Sequence, residues 1–151
     1  MEEKQPLYEQ SLRELDSVLE GIHDPVAVMA TINCILKINM PNFYWVGFYR
    51  VIYDHLLVGP YQGTMGCLRI EFGRGVCGTC AAERKTQIVA DVHQFPGHIA
   101  CDSQTNSEIV VPVVDKSGAL IAVFDVDSTE LNTFDAVDQT YLEKVMTRFF
   151  A

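Results

Sequence analysis

The sequence predicts an α+β domain in which an antiparallel sheet carries helices over a face. Three observations predict it. Both ends of the chain place apolar residues at helical spacing. The middle holds short aromatic and β-branched runs at strand spacing. Turns bearing glycine, proline or aspartate separate those runs. At 151 residues the expectation is one domain spanning 1–151, and a chain of this size buries roughly two thirds of its unfolded surface, enough for a full core.

The elements follow in order. Residues 5–19 read as a helix, with Leu7, Leu12, Leu15 and Leu19 near one face and Gly21 as its stop. A second helix is expected over 25–36. Pro25 suits its first turn, where the missing N–H costs nothing, and Val26, Met29, Ile32 and Leu36 form its apolar stripe. From Phe43 the period drops to two, and 43–49 reads as a strand. Alternation puts Phe43, Trp45, Gly47 and Tyr49 on one face and Tyr44, Val46 and Phe48 on the other. Asp54-His55 is a turn, 55–59 a return strand, and Gly59-Pro60 its end. A short strand at 67–70, a helix at 76–83 after Gly73-Arg74-Gly75 and a short strand at 88–90 come next. Residues 91–105 read as a long ordered loop. Strands at 107–113 and 119–126 flank a hairpin turn from Asp115 to Gly118. A helix over 135–149 closes the chain with Val137, Tyr141, Leu142, Val145 and Met146 facing the core.

Charge and composition exclude several functions. The net charge is −9, from 20 acidic against 11 basic residues, and there is no basic cluster to neutralise phosphates, so no nucleic-acid partner is expected. No apolar stretch approaches the roughly 20 residues that cross a bilayer, so no membrane partner is expected either. The N-terminus lacks the basic-then-apolar pattern of a signal peptide, which points to the cytoplasm. Five cysteines cannot all pair within one chain. In a reducing compartment they are free, metal-bound or transiently oxidised.

Those cysteines carry the functional signal. Cys67, Cys77 and Cys101 lie in G-P-Y-Q-G-T-M-G-C, G-R-G-V-C-G and F-P-G-H-I-A-C-D, beside glycine, proline and small polar residues. Reactive thiols need such access, and they need a thiolate. Cys77 is expected near a helix start, where free N–H groups lower a thiol pKa. With Cys80 it forms C-G-T-C, which reads as a redox dithiol or as half of a zinc knuckle. A second compact pair is missing, so zinc would need Cys67, Cys101, His93 and His98 brought together by the fold; no metal is assigned. Cys34, among Ile32, Leu36 and Ile38, reads as a packing residue. Cys101 has His98 three residues before it and Asp102 just after, on a glycine- and proline-bearing loop.

Carboxylates and aromatics complete the candidate set. Glu108 starts an otherwise apolar strand, and Asp125 and Asp127, two apart, share one strand face. Such a group can hold an ammonium, or push pKa values apart so that one carboxyl stays protonated. The plain alternative is an exposed strand edge turning at Asp127-Ser128. Trp45 and Tyr49, with Gly47 between them, suit an aromatic wall with room above the glycine, or simple core packing.

Taken together, N-F-Y-W-V-G-F-Y, L-L-V-G-P-Y-Q-G, I-E-F-G-R-G-V-C-G, D-V-H-Q-F-P-G-H-I-A-C-D, S-E-I-V-V-P and F-D-V-D-S resemble the free methionine-(R)-sulfoxide reductases, which are single GAF-domain enzymes. The resemblance runs from about Tyr8 to Tyr141 and includes the spacings of 10 and 24 residues between Cys67, Cys77 and Cys101. It implies a GAF-like six-stranded antiparallel sheet flanked by helices, a homodimer, no cofactor, and free methionine-(R)-sulfoxide as substrate. It further implies Cys101 as nucleophile, Cys67 as resolving cysteine, and Cys77 as a third thiol able to pair with the nucleophile. By the same resemblance Trp45 and Tyr49 are pocket aromatics, Glu108, Asp125 and Asp127 are substrate-binding carboxylates, and thioredoxin is the reductant. The chain departs from the family pattern at Tyr44, where Asn is frequent, at the extra thiol of Cys80, and at Thr129, where proline is usual. None of these is expected to touch the chemical positions. The competing readings are a non-catalytic GAF ligand-binding or redox-sensing domain, and a zinc-binding interaction protein built on Cys77 and Cys80.

Overall fold

The computed structural model describes residues 3–99 and 101–151. Four helices, α1 (Lys4–Val18), α2 (Pro25–Asn39), α3 (Gly75–Glu83) and α4 (Ala136–Phe150), accompany six strands. The strands are β1 (Trp45–Ile52), β2 (His55–Gln62), β3 (Arg69–Glu71), β4 (Gln87–Val89), β5 (Ser107–Val114) and β6 (Leu120–Ser128). All pairings are antiparallel, and the six strands form one sheet in the order β3-β2-β1-β6-β5-β4. This is the six-stranded antiparallel sheet that the resemblance implied. Among the described residues no helix is long and apolar enough to cross a membrane.

The sheet separates two cores, so helices cover both faces rather than one. On one side α1, α2 and α4 pack Tyr8, Leu15, Ile32, Leu36, Leu142 and Val145 onto Val46, Phe48, Ile109, Val111, Phe124 and Val126. On the other, α3 packs Val76, Cys77, Cys80 and Ala81 against Trp45, Tyr49, Val110 and Val123. The candidate site sits on this second, thinner side.

Local chemistry explains the boundaries. Asp24 caps α2 by accepting from Ala27 N–H, with Pro25 in the first turn. Asp135 and Asp138 form a reciprocal capping box at α4. Four expectations are corrected. Phe43 packs with Val46 and Phe48, not with Trp45, because ladder pairing starts only at Trp45 and alternation does not extend back past it. Strand β2 continues through Pro60 to Gln62. Its pairing slips by one residue between Gly47 and Tyr49, and the bulge falls at Gly59-Pro60, where a residue without N–H is tolerated. Val26 is 60% exposed, because α2 turns Val28 and Asn33 inward instead, and Asn33 donates to Pro60 O at 2.8 Å. Val137 is exposed too; its neighbour Asp138 is buried, accepting from Tyr8 Oη at 2.6 Å and pairing with Lys4.

Candidate active site

The centre of the sheet gathers the acids. Glu108 on β5 lies opposite Asp127 on β6, Asp125 lies opposite Val110, and across β6 the same two aspartates face Trp45 and Gly47 on β1. Residues i and i+2 of a strand share a face, so all three carboxyls project toward α3. The strand continues to Ser128, so the exposed edge and turn at Asp127-Ser128 are not formed. Glu108 and Asp125 are buried, and Asp127 is half-buried. Asp125 Oδ1 and Asp127 Oδ1 have no hydrogen-bond partner.

Burial dominates the electrostatics. It pushes all three carboxyls well above the usual carboxylate range, and mutual repulsion adds to it: Asp125 acts on Glu108, Asp127 on Asp125, and Glu108 on Asp127. Cys77, on the inner face of α3, points its Sγ at Glu108 Oε2 at 4.0 Å. The expected lowering of its pKa does not occur. Burial, followed by Asp125 and Glu108, raises the thiol well above its ordinary value. Cys77 is therefore a buried group, not the accessible thiol its glycine-rich setting suggested.

An aromatic stack walls the pocket. Trp45 lies parallel to Tyr49 at 5.7 Å and to Tyr61 at 5.1 Å, and its Nε1 donates to Thr64 O at 2.8 Å. The space above Gly47 is not open. A Cβ there would meet Tyr61 Cβ at 2.4 Å and the Trp45 ring at 2.7 Å, so the glycine is what lets the stack close. Gly66 does the same on the far edge of the indole, where a Cβ would lie 2.8 Å from Trp45 Cζ2.

Cys67 and Cys101 are joined by a disulfide, with Cα atoms 5.4 Å apart. Cys101 stands at the exposed rim of a pocket lined by Trp45, Tyr49, Cys77, Glu108, Asp125 and Asp127, of about 510 Å³ with its open mouth included. All seven candidate residues other than Cys67 thus line one pocket, and Cys67 reaches it through its bond to Cys101. His98 lines it too, its pKa lowered by burial and by nearby His93. The four-ligand assembly of cysteines and histidines is not formed, since two of its thiols are spent in the disulfide. Among the described residues the group with metal-ligand spacing is Cys77, Glu108 and Asp125.

Comparison with known proteins gives one family. Residues 35–148 match the GAF domain. The chain is 46% identical to the GAF domain-containing protein A of Dictyostelium discoideum, over 95% of this chain and 90% of that protein. It is 39% identical to the free methionine-R-sulfoxide reductase of Escherichia coli, over 96% and 87% respectively. Its fold superposes with a TM-score of 0.91 on the X-ray structure of free methionine-R-sulfoxide reductase from Neisseria meningitidis in complex with its substrate, at 42% identity over 97% of this chain and 88% of that one. The chain belongs to the GAF-domain family of free methionine-R-sulfoxide reductases. Within that family's fold, two contributors escaped the sequence reading. Tyr61 completes the stack from the far side of the β2 bulge. Tyr44, expected to touch no chemical position, donates through its hydroxyl to Asp102, the residue after Cys101, at 2.9 Å.

Proposed function

We propose that this chain reduces free methionine-(R)-sulfoxide to methionine. The observation that carries the reading is the meeting, in one pocket, of the Cys67–Cys101 pair, three buried carboxyls and a stacked indole. In this reading the methyl group of the substrate rests on Trp45 and Tyr49. A sulfoxide sulfur is a poor electrophile until its oxygen is protonated, and a carboxyl kept neutral by burial and by its neighbours supplies that proton. The Cys101 thiolate attacks. The S–O bond of the substrate breaks, its oxygen passes to the Cys101 sulfur as sulfenic acid, and the substrate sulfur departs reduced, as the thioether of methionine. The Cys67 thiol condenses with that sulfenic acid, giving the disulfide and one water. Thioredoxin, a dithiol, then exchanges with the disulfide, is itself oxidised, and returns both cysteines to thiols. Cys77 is held in reserve as a second partner for Cys101. An ionised member of Glu108, Asp125 and Asp127 holds the substrate ammonium, which a residue inside a peptide lacks. The enzyme works in the cytoplasm as a homodimer.

The test is to incubate the protein with each epimer of methionine sulfoxide plus dithiothreitol and to measure methionine. Release from the R epimer alone, with a peptide-bound sulfoxide untouched, is the expected result. Turnover of neither epimer would overturn the proposal and leave a redox-sensing GAF domain.

A further inference from the structure

A polar clasp outside the reacting groups joins the two cysteine-bearing segments. Asp102 Oδ2 accepts from the Thr64 hydroxyl, three residues before Cys67, and from the Tyr44 hydroxyl at the entry to β1, while Oδ1 takes the Gln104 N–H at 2.8 Å. Both donors are themselves anchored. Thr64 O receives Trp45 Nε1 at 2.8 Å, and Tyr44 N–H donates to Asp127 O at 2.9 Å. Neither Tyr44 nor Thr64 lines the pocket.

Among the described residues, the Cys101 segment is otherwise held by packing of Phe95 and Ile99 on the second core. Its backbone bonds among the described residues stay local: His98 N–H to Phe95 O, Cys101 N–H to Ile99 O, and Thr105 N–H to Asp102 O. Ile99 packs over Gly75. Among the described residues, the Thr64–Asp102 hydrogen bond is the polar tie, besides the disulfide, between this segment and the one carrying Cys67. The carboxyl of Asp102 is held below its ordinary range, first by Thr64 and then by the Gln104 N–H, so it stays an ionised acceptor for both hydroxyls.

We propose that Asp102 is a positioning residue for the Cys67–Cys101 pair: clasped by Thr64 and Tyr44, it keeps the two reduced segments together and so favours closure of the disulfide. Bringing together the ends of a long segment costs conformational entropy. A contact that prepays that cost raises the effective concentration of the Cys67 thiol at Cys101. In turnover the assisted step is Cys101 sulfenic acid plus Cys67 thiol going to disulfide plus water. The same contact shifts the equilibrium with any external dithiol toward the protein disulfide. The kinetic part rests on the reductase reading, and the equilibrium part does not.

The experiment equilibrates the full chain, wild type and Thr64→Val/Tyr44→Phe, with dithiothreitol redox buffers and no substrate. The Cys67–Cys101 bond is quantified by differential alkylation and peptide mapping. The expected result is an equilibrium constant for disulfide formation about tenfold lower in the double variant, which is about 30 mV for a two-electron couple. Thr64→Ser, which keeps the hydroxyl, should hold the wild-type constant. A double variant within twofold of wild type overturns the proposal, as does a Thr64→Ser variant that falls as far as Thr64→Val alone. In single turnover with methionine-(R)-sulfoxide, methionine release should keep its wild-type rate while the dimedone-reactive form of Cys101 persists about tenfold longer. Parallel slowing of both steps would mean that the clasp shapes the pocket and not the pair. Absence of methionine release from wild type itself would remove the reductase reading and leave the equilibrium result to stand alone.

Discussion

Replacing Glu108 by glutamine tests the buried acids through folding itself. Glu108 is 6% exposed, and burial, then Asp125, push its carboxyl well above the usual range; Asp125 and Asp127 are raised mainly by the same burial. In the unfolded chain all three titrate near about 4. Below that pH both states are protonated and the acids' contribution to stability is fully present. As pH rises past about 4, the unfolded chain releases protons that the folded pocket keeps, so the unfolding free energy falls until the folded groups ionise. Each proton kept lowers stability by about 1.4 kcal/mol per pH unit. The three lie close enough to titrate as a coupled set, so the protons they keep belong to the group and not to single residues. Even one retained proton is large against a total stability of about 5–15 kcal/mol. Glu108→Gln removes a titrating group and keeps the shape. The stability of the variant relative to wild type should therefore rise with pH between 5 and 7, by up to about 1.4 kcal/mol per unit. The lowered pKa of His98 gives an opposite slope, because a neutral folded imidazole loses stability as pH falls, but it acts equally in both proteins and cancels in the difference. Denaturant unfolding of the reduced proteins at pH 5, 6 and 7, followed by circular dichroism and by fluorescence of the single tryptophan, Trp45, measures this directly. Parallel curves for the two proteins would show that Glu108 is already ionised in the folded state, and would refute the protonated-pocket argument.

Three further outcomes are expected. Cys101→Ser should abolish methionine release in a single turnover without reductant while the fold survives; a normal burst would move the nucleophile elsewhere. Cys67→Ser should release about one methionine per subunit and then stall with thioredoxin, and peptide mapping of the oxidised wild type should find Cys67–Cys101 as the main bridge, not a bridge to Cys77. Gly47→Ala forces a Cβ to within 2.4 Å of Tyr61 and 2.7 Å of Trp45, so overpacking should cost about 1–3 kcal/mol in denaturant unfolding and raise KM through the displaced indole; unchanged values of both would show the stack to be soft.

The fold was legible wherever a period was long enough to be read locally. The helical spacing of Leu12 and Leu15, the hairpin around Gly118 and the β-rich run after Trp45 all fall where their patterns put them. Failures came where tertiary partners decide the register. Phe43 continues the alternation on paper, but only pairing fixes a face, and pairing starts two residues later. Val137 is the apolar choice on α4, yet Asp138 goes inside because Tyr8 and Lys4, some 130 residues away, supply its hydrogen bonds. The site shows the same division. Residue types and spacing marked Cys67, Cys77, Cys101, Glu108, Asp125 and Asp127. Tyr61 and Tyr44 carry no local signature, because each acts through a contact set by a bulge or by a loop fold.

Cys77 shows how magnitude ranks the thiols. A helix start stabilises a nearby anion by about 0.3–1 kcal/mol when exposed, and by no more than about 2 when partly buried. Against it stands burial to 5% exposure, and any ionised member of Asp125, Glu108 and Asp127 adds a charge of the sign that disfavours a thiolate. Removing an ion from water costs several kcal/mol even after relaxation, so the dipole loses and Cys77 stays protonated at neutral pH. A protonated thiol attacks poorly but donates, and its contact to Glu108 Oε2 adds one more polar hydrogen to the acid cluster. Cys80, one turn further along α3, is raised by burial as well. The C-G-T-C pair therefore lies in the least reactive ground of the site. The proposed mechanism accordingly assigns attack and resolution to the two cysteines held on loops at the rim, where the Cys101 sulfur is open to water and to an external dithiol.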